Sequence, residues 1–192
     1  NAEFGFSNDN FVFVTAGRLH RQKGINFLIE AFAAIKINNP NIRCVIIGDG
    51  PERESLENSA AASGAGQGAI TFAGRREPDE TLRIIASCDA FILASEWEGT
   101  PNVILEAMAL AKPVISTDVG GTKEMIETGT DGILVPPRSA GALSAAMEKI
   151  LADKNLSLRI GLKAREKITR SFSMEKMIGE TEKLYMRLLR PP

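Results

Sequence analysis

The sequence predicts an α/β fold, a doubly wound parallel sheet of about six strands with helices on both faces and a helical C-terminal end. Three observations carry the prediction. Short, apolar, often β-branched runs bounded by Gly, Pro or Asp alternate with longer amphipathic segments as far as Val135. Such runs suit strands buried on both faces, and repeating strand, helix, strand implies right-handed crossovers between parallel strands. At 192 residues with 44% apolar side chains, the chain can bury a sizeable core, which argues against disorder and against more than two very small domains.

In chain order, strands are expected at 11–16, 43–47, 70–73, 90–94, 114–117 and 132–135. The segments between them, 25–38, 52–63, 80–86, 102–111 and 122–127, read as helices, and the small-residue stretch 60–68 reads as a flexible helix-to-strand loop. After Val135 no strand is expected. Pro136-Pro137 punctuates the chain, and 141–152, 156–169 and 174–189 read as three helices, the first two with apolar residues three and four apart. The polar opening stretch 1–10 is expected to be a leader remnant outside the fold, 11–172 the folded domain, and 173–192 a terminal helix.

Lys and Arg number 23 against 24 Asp and Glu, a net charge of −1 that argues against a chain built to neutralise nucleic-acid phosphates. The average hides a split. Residues 1–148 hold 12 basic and 19 acidic side chains, whereas 149–192 hold 11 and 5, so the body is acidic and the helical tail basic. Solvated helix faces account for the tail, and an anionic membrane surface or a partner domain are its other uses. The two cysteines, Cys44 and Cys88, lie in or beside apolar runs and read as buried reduced thiols, which suits the cytoplasm. No run approaches the roughly 18 apolar residues that span a bilayer.

In open parallel sheets ligands bind outside the carboxyl ends of the strands, so the residues after each strand carry the chemistry. After the first come Gly17, Arg18 and Lys23, a tight turn with two cations ahead of a helix N-terminus, a combination that suits a diphosphate. His20 between them reads as a surface residue. After the second strand, Gly48-Asp49-Gly50-Pro51 resembles a phosphate loop, but Arg53 stands where the third glycine of the dinucleotide fingerprint belongs. A tight turn with Pro51 at the first helical position explains it.

The fourth strand leads into Ser95-Glu96-Trp97-Glu98-Gly99-Thr100-Pro101-Asn102. Thr100 and Pro101 read as helix cap and first helical residue, leaving the amides of Asn102 and Val103 free beside Gly99, an anion site. Glu106 is the only charge between Gly99 and Lys112, in a helix apolar enough to be buried on nearly every side. A buried carboxylate must find donors. Asn102 lies one turn earlier on the same face, so Glu106 can accept from two hydroxyls of a ligand, as an acidic residue does with ribose, or form a structural ion pair. Asp118-Val119-Gly120-Gly121-Thr122 after the fifth strand is another glycine turn that enters a helix.

Together these residues resemble the retaining glycosyltransferases of the GT-B fold, the group that includes glycogen synthase and mannosyltransferases. The most specific element is Glu98 followed eight positions later by Glu106, within 95–114. Gly17-Arg18-Leu19 with Lys23-Gly24, Gly48-Asp49-Gly50-Pro51, Phe72-Ala73-Gly74, Gly120-Gly121 with Glu124, and Gly129 with Gly132 and Pro136 support it by order and spacing. The resemblance implies that the chain is one half of a GT-B enzyme, the Rossmann-like C-terminal domain that binds a UDP-, GDP- or ADP-sugar. It also implies that the acceptor site belongs to an N-terminal domain absent from this chain, toward which the helix in 173–192 crosses. By the same resemblance Arg18 and Lys23 hold the diphosphate and act in catalysis, and Glu106 holds the ribose. Glu98 lies near the transferred sugar and acts in catalysis with Arg18 and Lys23, Gly99, Thr100, Asn102 and Val103 offer backbone to phosphate and sugar, and Arg75 with Arg76 borders the base. No cofactor or metal is implied, and the chain has no Asp-x-Asp motif. The resemblance leaves room for peripheral attachment of the longer protein to the inner face of the membrane.

Two positions depart from the family pattern, Ala111 where Gly is usual and Met174 where an aromatic residue is usual. The alternatives are a non-catalytic sugar-nucleotide-binding module or another GT-B enzyme such as an epimerase or phosphorylase. A dinucleotide-dependent oxidoreductase is disfavoured by the failed glycine fingerprint.

Overall fold

The computed structural model describes residues 2–189. Six parallel strands, β1 (Phe11–Ala16), β2 (Ile42–Ile47), β3 (Ile70–Gly74), β4 (Ala90–Leu93), β5 (Val114–Thr117) and β6 (Ile133–Val135), form one sheet in the order β3-β2-β1-β4-β5-β6. Among the described residues eight α-helices accompany them: α1 (Ile25–Lys36), α2 (Arg53–Ala62), α3 (Pro78–Ser87), α4 (Asn102–Ala109), α5 (Thr122–Met125), α6 (Ala140–Ala152), α7 (Lys154–Ser171) and α8 (Met174–Leu188). The doubly wound fold and the helical end are as the periodicity predicts, with boundaries moved by a few residues at most.

Alternation along each strand builds two cores. Phe13, Cys44, Ile46, Ile92, Ile115 and Ile133 face α1, α2 and α6 on one side, where Leu28, Phe32, Leu143 and Met147 are buried. Val12, Val14, Val45, Phe91, Leu93 and Val114 face α3, α4 and α5 on the other, with Ile85, Ile104, Met108 and Met125. α7 contributes Leu156 and Ile160 to the first core and Ala164 to the second. Burial on both faces is why the inner strands read as largely apolar runs.

Three side chains of the opening stretch pack against the domain. Phe4 and Phe6 cover the second core, and Glu3 pairs with Arg76 at 2.7 Å. α8 buries none of its residues and exposes Met174, Met177, Ile178, Leu184, Tyr185 and Leu188. Both cysteines are buried, and burial pushes the Cys88 thiol up to about 11. Among the described residues, no helix is long and apolar enough to cross a membrane.

α4 ends in a paired motif in which Ala111 N–H donates to Met108 O and Lys112 N–H to Ala107 O. That motif places Ala111 in the left-handed region, at φ 55°. The position accounts physically for the family's glycine, since an L side chain there costs about 1 kcal/mol.

Candidate functional site

Strand order reverses between β1 and β4, and the loops leaving their carboxyl ends face each other across that switch point. The loop after β1 forms a single turn of 3-10 helix over Arg21–Lys23, capped by His20, whose Nδ1 accepts from Gln22 N–H at 3.4 Å. His20 is an exposed capping residue, as its loop position predicts. Lys23 leaves this turn and donates from Nζ to Glu98 Oε1 at 2.5 Å, although 75 residues separate them in sequence. Ser95 Oγ donates to the same Oε1 at 2.6 Å. The Glu98 side chain is 8% exposed and that of Lys23 20%, so the pair is largely shielded from water.

Close backbone contact fixes these loops. An added Cβ on Gly48 would fall 1.8 Å from the Gly17 carbonyl, and one on Gly120, where φ is +51°, 1.9 Å from the Glu98 carbonyl. Gly121 N–H donates to Gly99 O at 2.9 Å. The glycine pattern at 48–50 therefore serves the approach of the β2 loop to the β1 loop. Helix α2 starts at Arg53 with Glu52 as its cap, so Pro51 lies in the preceding turn and is not the first helical residue.

A cleft of about 620 Å³ opens beside the pair, lined by Gly17, Arg18, Gly48, Asp49, Arg75 and Val103 among others. Arg18 and Arg75 are exposed into it and form no ion pair among the described residues, whereas Arg76 is tied to Glu3. Asp49 accepts from Gly50 N–H at 2.7 Å and from Arg53, and these bonds hold its carboxyl below the usual range.

At the start of α4, Pro101 is the cap residue, displacing Thr100 from the role predicted for it, and no side chain caps the helix. The first helical N–H that pairs with backbone at this end is that of Ile104, which donates to Pro101 O, and among the described residues the amides of Asn102 and Val103 have no hydrogen-bond partner. Four of the residues predicted from sequence, Gly17, Arg18, Arg75 and Val103, line the cleft, while Lys23 and Glu98 pair with each other beside it.

The expected burial of Glu106 is corrected. The residue is exposed and forms no ion pair among the described residues. The helix buries Ile104, Ala107 and Met108 but turns Asn102, Glu106 and Ala109 outward on one face. The apolar composition that signalled burial all round belongs to a helix covered on one side only. Ser95 is a further site residue, and the sequence carried no signal for it beyond its place at the end of a buried strand. No group of three or more His, Cys, Asp or Glu side chains suited to a metal ion occurs among the described residues.

A family model described as glycosyl transferases group 1 matches residues 1–167. This chain belongs to that family. It is 34% identical over 164 residues, 85% of this chain and 46% of the relative, to the lipopolysaccharide core biosynthesis glycosyltransferase LpsE of Rhizobium meliloti. It is 28% identical over 170 residues to glycogen synthase of Mycobacterium tuberculosis, covering 88% of this chain and 41% of that one. Among solved structures, sucrose-phosphate synthase from Thermosynechococcus elongatus superposes with a TM-score of 0.86 at 28% identity, over 97% of this chain and 47% of that one. Anabaena Alr3699/HepE in complex with UDP-glucose superposes with a TM-score of 0.84 at 26% identity, over 95% of this chain and 50% of that one. The chain thus spans about half the length of these group 1 relatives.

Proposed function

We propose that this chain is the donor-binding half of a retaining glycosyltransferase that transfers a sugar from a nucleoside-diphosphate sugar without a metal ion. The meeting of Lys23, Glu98 and Ser95 at the switch point, beside the cleft that Arg18 enters, is the observation that carries the reading. The complex of the relative Alr3699/HepE with UDP-glucose supports the donor class.

Breaking the bond between the sugar C1 and the diphosphate oxygen leaves negative charge on the departing group, and fixed cations and amides can stabilise it. Arg18 and Lys23 are the cations, and the free amides of Asn102 and Val103 are the dipoles. Charge-assisted hydrogen bonds contribute about 1.5–3 kcal/mol each, and a helix end up to about 2. Glu98 positions the donor sugar and faces the positive charge that develops at C1, while the acceptor hydroxyl forms the new bond on the face the diphosphate leaves and passes its proton to the departing diphosphate oxygen. Glu106 and Asn102, on the outward face of α4, receive the ribose hydroxyls, and Arg75 borders the base. The acceptor site belongs to the absent half, and the apolar residues of α8 dock against that half.

Calorimetry of the isolated chain with UDP, GDP and ADP in the presence of a chelator tests the site. At least one nucleotide binds, and Glu106→Ala or Lys23→Ala weakens it at least about tenfold, or 1.4 kcal/mol. A folded chain that binds none of the three refutes the assignment. Sugar transfer by this chain alone, given donor and acceptor, would refute the assignment of the acceptor site to another domain.

A further inference from the structure

We propose that Arg138, on the loop after β6, is a positioning residue that clamps Glu96 and thereby holds Glu98 in place. The inference rests on the donor-site reading above. Glu96 is not in the cleft. Its side chain, 8% exposed, borders a separate pocket with Arg21, Phe27 and Ser55 on the α1 and α2 side. There its Oε2 accepts from Arg138 Nε at 2.6 Å across 42 residues of sequence. A carboxylate this buried needs a partner, and among the described residues Arg138 supplies its one ion pair.

Arg138 holds the left-handed region at φ 57°, which long side chains avoid. Backbone in that region persists where surrounding contacts over-determine it, and such places cluster at functional sites. Here the contacts converge on one short segment. Glu96 N–H donates to Gln22 O at 2.7 Å, and Gln22 Nε2 donates to Trp97 O at 3.0 Å. The segment that carries Glu98 is thus stitched to the turn that carries Lys23, and Arg138 secures its other side from β6. Glu96 and Glu98 are two residues apart, so release of the first frees the second to leave Lys23.

Trp97 stands between the two glutamates, is the only tryptophan in the chain and is 61% exposed, so its emission reports this segment directly. The test compares the unaltered chain with Arg138→Gly, Arg138→Lys and Glu96→Gln. Glycine tolerates the left-handed backbone, so Arg138→Gly removes the clamp without backbone strain. Three quantities are measured: Trp97 anisotropy without ligand, affinity for UDP, GDP and ADP, and Tm.

Arg138→Gly and Glu96→Gln lower Trp97 anisotropy and weaken nucleotide binding at least about fivefold, at temperatures well below each variant's Tm. Arg138→Lys recovers part of both. Unchanged anisotropy in both charge-removing variants overturns the proposal, whether or not nucleotide binds. Unchanged affinity in a chain that does bind overturns it too. If the unaltered chain binds no nucleotide, the donor-site reading fails separately, and the anisotropy alone decides the clamp.

Discussion

Replacement of Lys23 by Met should strand the Glu98 carboxylate. In the native chain Glu98 Oε1 accepts from Lys23 Nζ at 2.5 Å and from Ser95 Oγ at 2.6 Å, with its side chain 8% exposed. Methionine keeps the apolar stem that packs over Gly17, where an added Cβ would lie 3.4 Å from Lys23 Cε, so charge is the main change. Removing one partner of a fully buried pair costs about 3–5 kcal/mol. Lys23 is 20% exposed, so water reaches the vacated place and the cost falls to roughly 2–3 kcal/mol. For a domain of this size that lowers Tm by about 4–12 °C. Urea denaturation of the native chain, Lys23→Met, Glu98→Gln and the double variant closes a mutant cycle. The double variant should recover at least about half of the loss, because a neutral amide tolerates the site better than an unpaired carboxylate. A loss below about 0.5 kcal/mol for Lys23→Met, or a double variant no more stable than it, refutes the reasoning.

Ala111→Gly relieves a left-handed alanine at the end of α4 and should stabilise the chain by about 0.5–1 kcal/mol, seen as a raised urea midpoint with unchanged slope. Gly120→Ala does the opposite, since its Cβ would meet the Glu98 carbonyl at 1.9 Å; nucleotide affinity measured by calorimetry should fall more than about tenfold. Neither Cys44 nor Cys88 should react with a thiol reagent until the chain is unfolded, when both do. Burial raises the Cys88 pKa from 9.0 to about 11, so its stabilising contribution is complete below pH 9.0 and declines as pH rises towards 11. The pH dependence of the stability difference between the native chain and Cys88→Ala isolates this loss.

The inner strands were legible because both of their faces are buried, which suppresses polar alternation and makes Phe11–Ala16 or Ala90–Leu93 stand out as short, largely apolar runs. The end of α4 was legible as a departure at Ala111, although its left-handed backbone was not. Glu106 was misplaced for a reason that composition cannot overcome. Apolar residues on most positions of an eight-residue helix mean either cover all round or one strongly covered face, and here Ile104, Ala107 and Met108 take the core while Asn102 and Glu106 look outward. Phe4 and Phe6 carry no signal in the sequence, because two aromatics in a polar stretch have no periodicity to mark them.

The contacts that define the site were the least legible, and topology explains why. Lys23 follows β1 and Glu98 follows β4, and they meet because those strands are neighbours at the point where the sheet order reverses. Local sequence shows a cation and a carboxylate, each at a strand end; only the pairing of the strands joins them. The same pairing alters their chemistry. The Lys23 charge is largely spent on Glu98, so on the donor-site reading proposed above Arg18 and the first amides of α4 are the initial attraction for a diphosphate. On that reading a single ion pair ties the diphosphate side of the site to its sugar side, and Gly24, whose added Cβ would fall 2.2 Å from the Ala94 carbonyl, is what allows the two loops bearing it to come so close.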